Sequence, residues 1–179
     1  DLIAFISDAA VAVLLYVLLK PVSSTLSLLA ASLRLLAHPA IASINLLNQF
    51  IILPLVQDGG YASAIDIAQR QALSMLFLDA HHYGYLIGGA FFGAHCLLLG
   101  YLLYKSDFFP GVLGILIFIA GAAYLLESMG SFLFPAHETL FTWIVVVPAV
   151  IAEFSLCLWL LIRGVRSPAD DRGQGTSPA

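Results

Sequence analysis

The chain has 179 residues, 61% of them hydrophobic and only 10% charged, with a mean hydropathy of +0.98 and a formal net charge of -4. Soluble globular domains are about 45–50% apolar and about 25% charged, so a chain this apolar needs lipid to cover its surface. The length suits one compact helical domain, and no basic run offers a nucleic-acid footprint.

The chain opens on Asp1 without a Met and is apolar from Leu2, which reads as a truncated or processed start. This first stretch has no basic n-region or small-residue cleavage site, so it does not read as a signal peptide. A spanning helix needs about 20 mostly apolar residues. The first span is predicted over 2–19 and ends at Lys20-Pro21. A second apolar region, 24–56, is too long for one untilted span. Arg34 and His38-Pro39 divide it, so the membrane part is predicted over 35–56 with the preceding turns at the interface. After the polar Gln57-Asp58-Gly59-Gly60 loop, 63–78 turns amphipathic, with Ile65, Ala68, Ala72, Met75 and Leu76 on one face and Asp66, Gln69, Arg70 and Ser74 on the other. That predicts an interfacial helix leading into a third span over 80–104. Lys105-Ser106-Asp107 breaks the pattern, and Pro110 opens a fourth span over 110–134 as a first-turn proline. The Pro135-Ala136-His137-Glu138 turn precedes a fifth span over 139–162, which Pro148 should kink.

The fold class is therefore all-α, a multi-pass transmembrane helical bundle of about five spans plus a short interfacial helix. Residues 1–165 form the membrane domain, and 166–179 form a polar tail expected to be disordered and cytoplasmic. Lys20, Lys105, Arg163, Arg166 and Arg172 fall at alternate segment ends, with Arg34 near the same side. Asp58, Asp66 and Glu138 fall at the other ends, and Arg70 is the one basic exception. The positive-inside rule then places the protein in the inner membrane with a cytoplasmic C-terminus. Cys96 and Cys157 lie within apolar segments, form no CxxC and read as inert packing thiols.

The stretch from Leu76 through Asp79-Ala80-His81-His82-Tyr83-Gly84-Tyr85, followed by Phe91-Phe92-Gly93 and Leu99-Gly100-Tyr101, resembles the bacterial domain-of-unknown-function family 4386 (DUF4386). The similarity continues through Phe109-Pro110-Gly111-Val112-Leu113-Gly114 and Ala120-Gly121-Ala122-Ala123-Tyr124-Leu125, with Asn45-Leu46-Leu47-Asn48-Gln49 earlier. It covers most of the chain between Asp8 and Val165. The resemblance implies integral membrane proteins that open on one further N-terminal helix, missing here, and it implies no activity, substrate or cofactor.

Ionisable groups inside a span cost roughly 2.5–3.5 kcal/mol each and are functional hypotheses by default. With the orientation above, Asp8, Asn45, Asn48, Gln49, Asp79, His81, His82 and Glu127 all fall in the outer half, a polar layer contributed by four spans. Asp79 and His82 are one turn apart, and His81 shares a face with Tyr85. Two carboxylates and a histidine could hold a divalent metal or pass a proton, and the same groups could equally form an interhelical hydrogen-bond network. Asp79, His82 and Glu127 are expected to converge, with Asn48 or Asp8 completing the shell. Arg34 and Glu153 lie at matched depths and are expected to form a buried ion pair, against the alternative that Arg34 snorkels. Gly84, Gly88, Gly89 and Gly93 permit close backbone approach, to another span of this chain or to a homo-oligomer or protein partner. Trp143, Tyr101 and Tyr104 read as aromatic-belt anchors.

The leading expectation is a non-enzymatic membrane component that binds a small ligand, lipid or protein partner through an outer-half polar pocket. The rivals are a membrane-embedded enzyme using Asp79, His82 and Glu127, and a proton-coupled carrier using the same acids. No metal or cofactor can be named from these residues.

Overall fold

A computed structural model of the protein describes residues 1–57 and 60–164. Asp58, Arg166, Arg172 and the tail 166–179 lie outside the described residues. Of the described residues 91% are helical, and none is in a strand. In order, the helices are α1 (Leu2–Leu19), α2 (Ser24–Leu35), a π-helical segment (Leu36–Ala42), α3 (Ser43–Val56), a 3-10 turn (Gly60–Ala64), α4 (Ile67–Lys105), α5 (Gly111–Leu133), a 3-10 turn (Pro135–His137) and α6 (Glu138–Arg163). Among the described residues, five helical stretches are long and apolar enough to cross a membrane.

Local chemistry sets the ends. Ser23 caps α2 by accepting from the Leu26 amide, and Asp66 caps α4 by accepting from the Ala68 amide. Pro110 stands at the cap position of α5, one residue before the expected first turn. Gly164, with φ +63°, ends α6 in the left-handed region that glycine tolerates.

Two pairs of predicted segments are continuous. The amphipathic stretch and the third span form one 39-residue helix, α4, because Ala68 to Ala80 contains no residue that stops a helix. Helix also runs unbroken from Ser24 to Val56, and Arg34 therefore sits well inside it instead of at an interface. The chain passes Pro39 by widening into a seven-residue π segment, which accommodates the missing amide and ring bulk that would disrupt an α-turn.

α4 is the central helix: 56% of its most apolar window is buried, against 17% for α1 and for the last stretch carrying α6. It packs against α2, the π segment and α3 on one side and against α5 on the other, while α1 flanks α2 and α6 flanks α5. The main core joins Leu19, Phe92, Cys96, Leu99, Leu102, Leu103, Leu113 and Ile117. Glycines let α4 and α5 nearly touch, since a Cβ on Gly100 would lie 2.7 Å from the Gly114 carbonyl oxygen. One shallow cleft gathers Pro21, Lys105 and Asp107, and another gathers Asp107, Phe109 and Arg163. These residues define a basic end of the bundle, with the Glu138 turn at the opposite end.

Candidate functional site

Four groups of polar side chains stand out inside the helical stretches, and the expected single outer layer does not form. The first lies about halfway along the helices. Asp8 on α1 ion-pairs with Arg34 on α2 through Oδ1 and accepts from His38 Nδ1 at 2.9 Å through Oδ2. Arg34 Nη1 lies 3.1 Å from His95 Nε2 on α4, and its guanidinium stacks over the Phe92 ring at 5.2 Å. His95 Nδ1 lies 2.8 Å from the Ala30 carbonyl oxygen. A guanidinium only donates and a carbonyl only accepts, so these partners assign His95 as the neutral Nδ1–H tautomer. Four side chains from α1, α2, the π segment and α4 thus satisfy one another, with Arg34 Nε alone buried without a partner.

This arrangement overturns two expectations. Arg34 pairs with Asp8 and not with Glu153, and Asp8 does not belong to an outer layer. The physical reason is adjacency between helices at matched height: α1 and α4 stand beside α2 and α6 does not. Asp8, Arg34 and His95 stand 12, 10 and 10 residues from Lys20, Ser24 and Lys105, so all reach the same level at about 1.5 Å per residue. His38 and His95 were not among the nominated residues. Their signal was the same depth count applied to every titratable residue of the spans.

The second group joins α3 to α4. Buried Asn45 donates to the His81 carbonyl oxygen at 2.7 Å, and Asn48 donates to Asn45 Oδ1 at 2.9 Å. Gln49 Nε2 lies 2.9 Å from His81 Nε2, and His81 Nδ1 lies 3.1 Å from the Asn45 carbonyl oxygen. The His81 ring also meets Tyr85 edge-on. Gly84 makes room for this knot, because a Cβ there would lie 2.0 Å from Asn45 Oδ1. Cβ atoms built on Gly88, Gly89 and Gly93 would likewise meet Ala37, Ser128 and Gly121 of this chain.

The third group is at the end opposite Lys105. His82 Nε2 lies 2.8 Å from Glu138 Oε1, with both side chains more than 40% exposed. The expected convergence of Asp79, His82 and Glu127 does not occur: Asp79 is exposed, Glu127 is half-buried, and no hydrogen bond or ion pair joins the three. The short turn after α5 starts α6 at Glu138 and delivers that carboxylate to His82 first. Among the described residues no three His, Cys, Asp or Glu side chains are grouped to hold a metal.

The fourth group lies between α5 and α6, again about halfway along. The Tyr124 hydroxyl donates to Glu153 Oε1 at 2.9 Å, and the Tyr124 ring stands edge-on to Phe92 at 5.1 Å. Beside them a cleft of about 380 Å³ opens laterally, walled by Val146, Ala149, Val150, Phe154 and Cys157. Glu153 is exposed along this wall. Cys157 is exposed as well, so of the two expected packing thiols only Cys96 is buried.

Comparison with known proteins agrees with the resemblance. The family model described as "Domain of unknown function (DUF4386)" matches residues 1–164. An uncharacterized protein of Archaeoglobus fulgidus is 32% identical over 161 residues, covering 89% of this chain and 78% of that protein. No solved structure matches. On the family match across nearly its whole described length, the chain belongs to the DUF4386 family.

Proposed function

We propose that the protein is a non-enzymatic membrane component that binds a small amphiphile, taken laterally from the bilayer, in the α5–α6 cleft. One observation carries this reading: Glu153 places an exposed carboxylate halfway along an apolar 26-residue helix, in the wall of a cleft of about 380 Å³. Ligand sites are apolar concavities of roughly 300–1,000 Å³ with a few placed polar groups. A polar group facing hydrocarbon is costly and is a functional signal by default. The other polar groups compete poorly for the role. Asp8, Arg34, His38 and His95 are engaged with one another, as are Asn45, Asn48, Gln49 and His81. The reading keeps the expected class of function and moves its site from the outer polar layer to the cleft. The alternation of Lys20, Lys105 and Arg163 supports a basic end in the cytoplasm of a cell whose inner membrane holds the protein.

The test is photolabelling in nanodiscs with alkyl diazirine probes carrying different headgroups. At least one probe should label 145–157 of α6 saturably, and Val150→Trp, which fills the cleft from an exposed position, should abolish that labelling. Unsaturable labelling, spread over all exposed helix faces in proportion to their area, would overturn the reading.

A further inference from the structure

We infer that the amphiphile taken up by the α5–α6 cleft is an amine, held by Glu153 through its nitrogen. This rests on the proposed cleft and adds the chemistry of the ligand's head. The argument is one of donors and acceptors. A tyrosine hydroxyl has one proton, and Tyr124 gives it to Glu153 Oε1. Glu153 Oε2 makes no hydrogen bond or ion pair among the described residues, and no Lys, Arg or His contacts this carboxyl. Arg34, the cationic side chain at the same height, is engaged by Asp8 and His95. The remaining cleft wall is aliphatic and aromatic apart from the Cys157 thiol, a weak donor that makes no hydrogen bond to this carboxyl. The site therefore presents an unmet acceptor with no donor to match it, and it suits a head that brings N–H groups and positive charge.

Carboxylate and phosphate heads bring acceptors and negative charge to a group that repels both. An alcohol brings one donor and no charge. An amine meets both needs, and the aromatic residues Tyr124 and Phe154 in the wall suit an ammonium better than a neutral head. Glu153 stands about 15 Å from the basic end of α6, so the amine sits near the bilayer midplane, too deep for the headgroup of a lipid in its normal place.

The test uses diazirine-tagged dodecylamine and dodecanol with the full chain in phosphatidylcholine nanodiscs. The amine probe should label 145–157 saturably at lower concentration than the alcohol probe. Glu153→Gln should raise the half-saturating concentration of the amine at least tenfold and leave that of the alcohol unchanged, while Glu153→Asp should retain most of the preference. Equal saturation by both probes in the unaltered protein, or an amine response indifferent to Glu153→Gln, would overturn the amine assignment and leave the cleft reading standing. Absence of saturable labelling by either probe would overturn both. Rapid disulfide formation between Cys157 residues of two copies, with labelling only in dilute protein, would make a second copy the occupant and also overturn both.

Discussion

The two polar clusters at the middle of the helices differ in how they are closed. On the α1–α2–α4 side, a carboxylate, a guanidinium and two imidazoles use one another's hydrogen-bonding capacity behind Phe92. On the α5–α6 side, a carboxyl and a phenol share a single bond beside an open cleft. Phe92 touches both, packing on His38 and Tyr124. The central helix α4 supplies His95 to Arg34 and His81 to Asn45 and Gln49. α6 contacts little beyond α5, so a polar residue on its free face has no such supply. Charge within the helices is therefore engaged where other helices surround it and keeps hydrogen-bonding capacity where they do not.

Breaking the closed cluster should have the largest effect. Asp8→Leu removes the counter-charge of Arg34 and strands a guanidinium among α1, α2 and α4, at a cost of about 3–5 kcal/mol. The double change Asp8→Leu with Arg34→Met strands nothing and should recover most of that loss. Unfolding in detergent, followed by circular dichroism, measures both. A double variant as unstable as the single one would mean that the cluster's worth is not electrostatic.

Gly84→Ala comes next. The added methyl would lie 2.0 Å from the Asn45 side chain, so Asn45 must leave its place and surrender its bonds to His81 and Asn48. Overpacking of this kind costs about 1–3 kcal/mol. Asn45→Ala should make the glycine substitution nearly neutral in a double-variant cycle, because the obstructing amide is then gone.

Much of this was legible in the sequence, for reasons that also explain the failures. Span length and hydropathy are properties of a single helix, and the predicted span over 110–134 lies within a residue of α5 at each end. The His38-Pro39 break was misread because a π segment carries a proline through a helix without any compositional mark. Residue spacing also placed His81 beside Tyr85, a contact local along one helix. Partner choice between helices was not legible. Height alone cannot tell Asp8 from Glu153 as the partner of Arg34, because that choice depends on which helix stands beside α2, and α1 does while α6 does not. The cleft was illegible for the same reason, since it exists only because α6 leaves one face uncovered.

His82→Ala tests the open end of the molecule. Its pairing with Glu138 is more than 40% exposed on both sides, and exposed pairs contribute about 0.2–1 kcal/mol. A small loss that shrinks further at high salt is expected, with photolabelling of the cleft unchanged. A loss comparable to that of Asp8→Leu would place His82 in a closed network like that of Arg34.

The smallest stability effect should come from Glu153→Gln, and this variant divides the two clusters most cleanly. The amide keeps an oxygen that can accept from Tyr124, so the hydrogen bond at 2.9 Å survives. No cation is left unpaired, because none among the described residues contacts Glu153. The substitution also removes any cost of holding a carboxylate against hydrocarbon, so the melting temperature in detergent should stay level or rise slightly. Asp8→Asn, the same chemical change in the closed cluster, leaves Arg34 without its counter-charge and should lower the melting temperature clearly. If Glu153→Gln instead destabilised the protein as much as Asp8→Asn, the Glu153 carboxylate would be holding α5 and α6 together, and its exposure along the cleft would not mark it as free for a ligand.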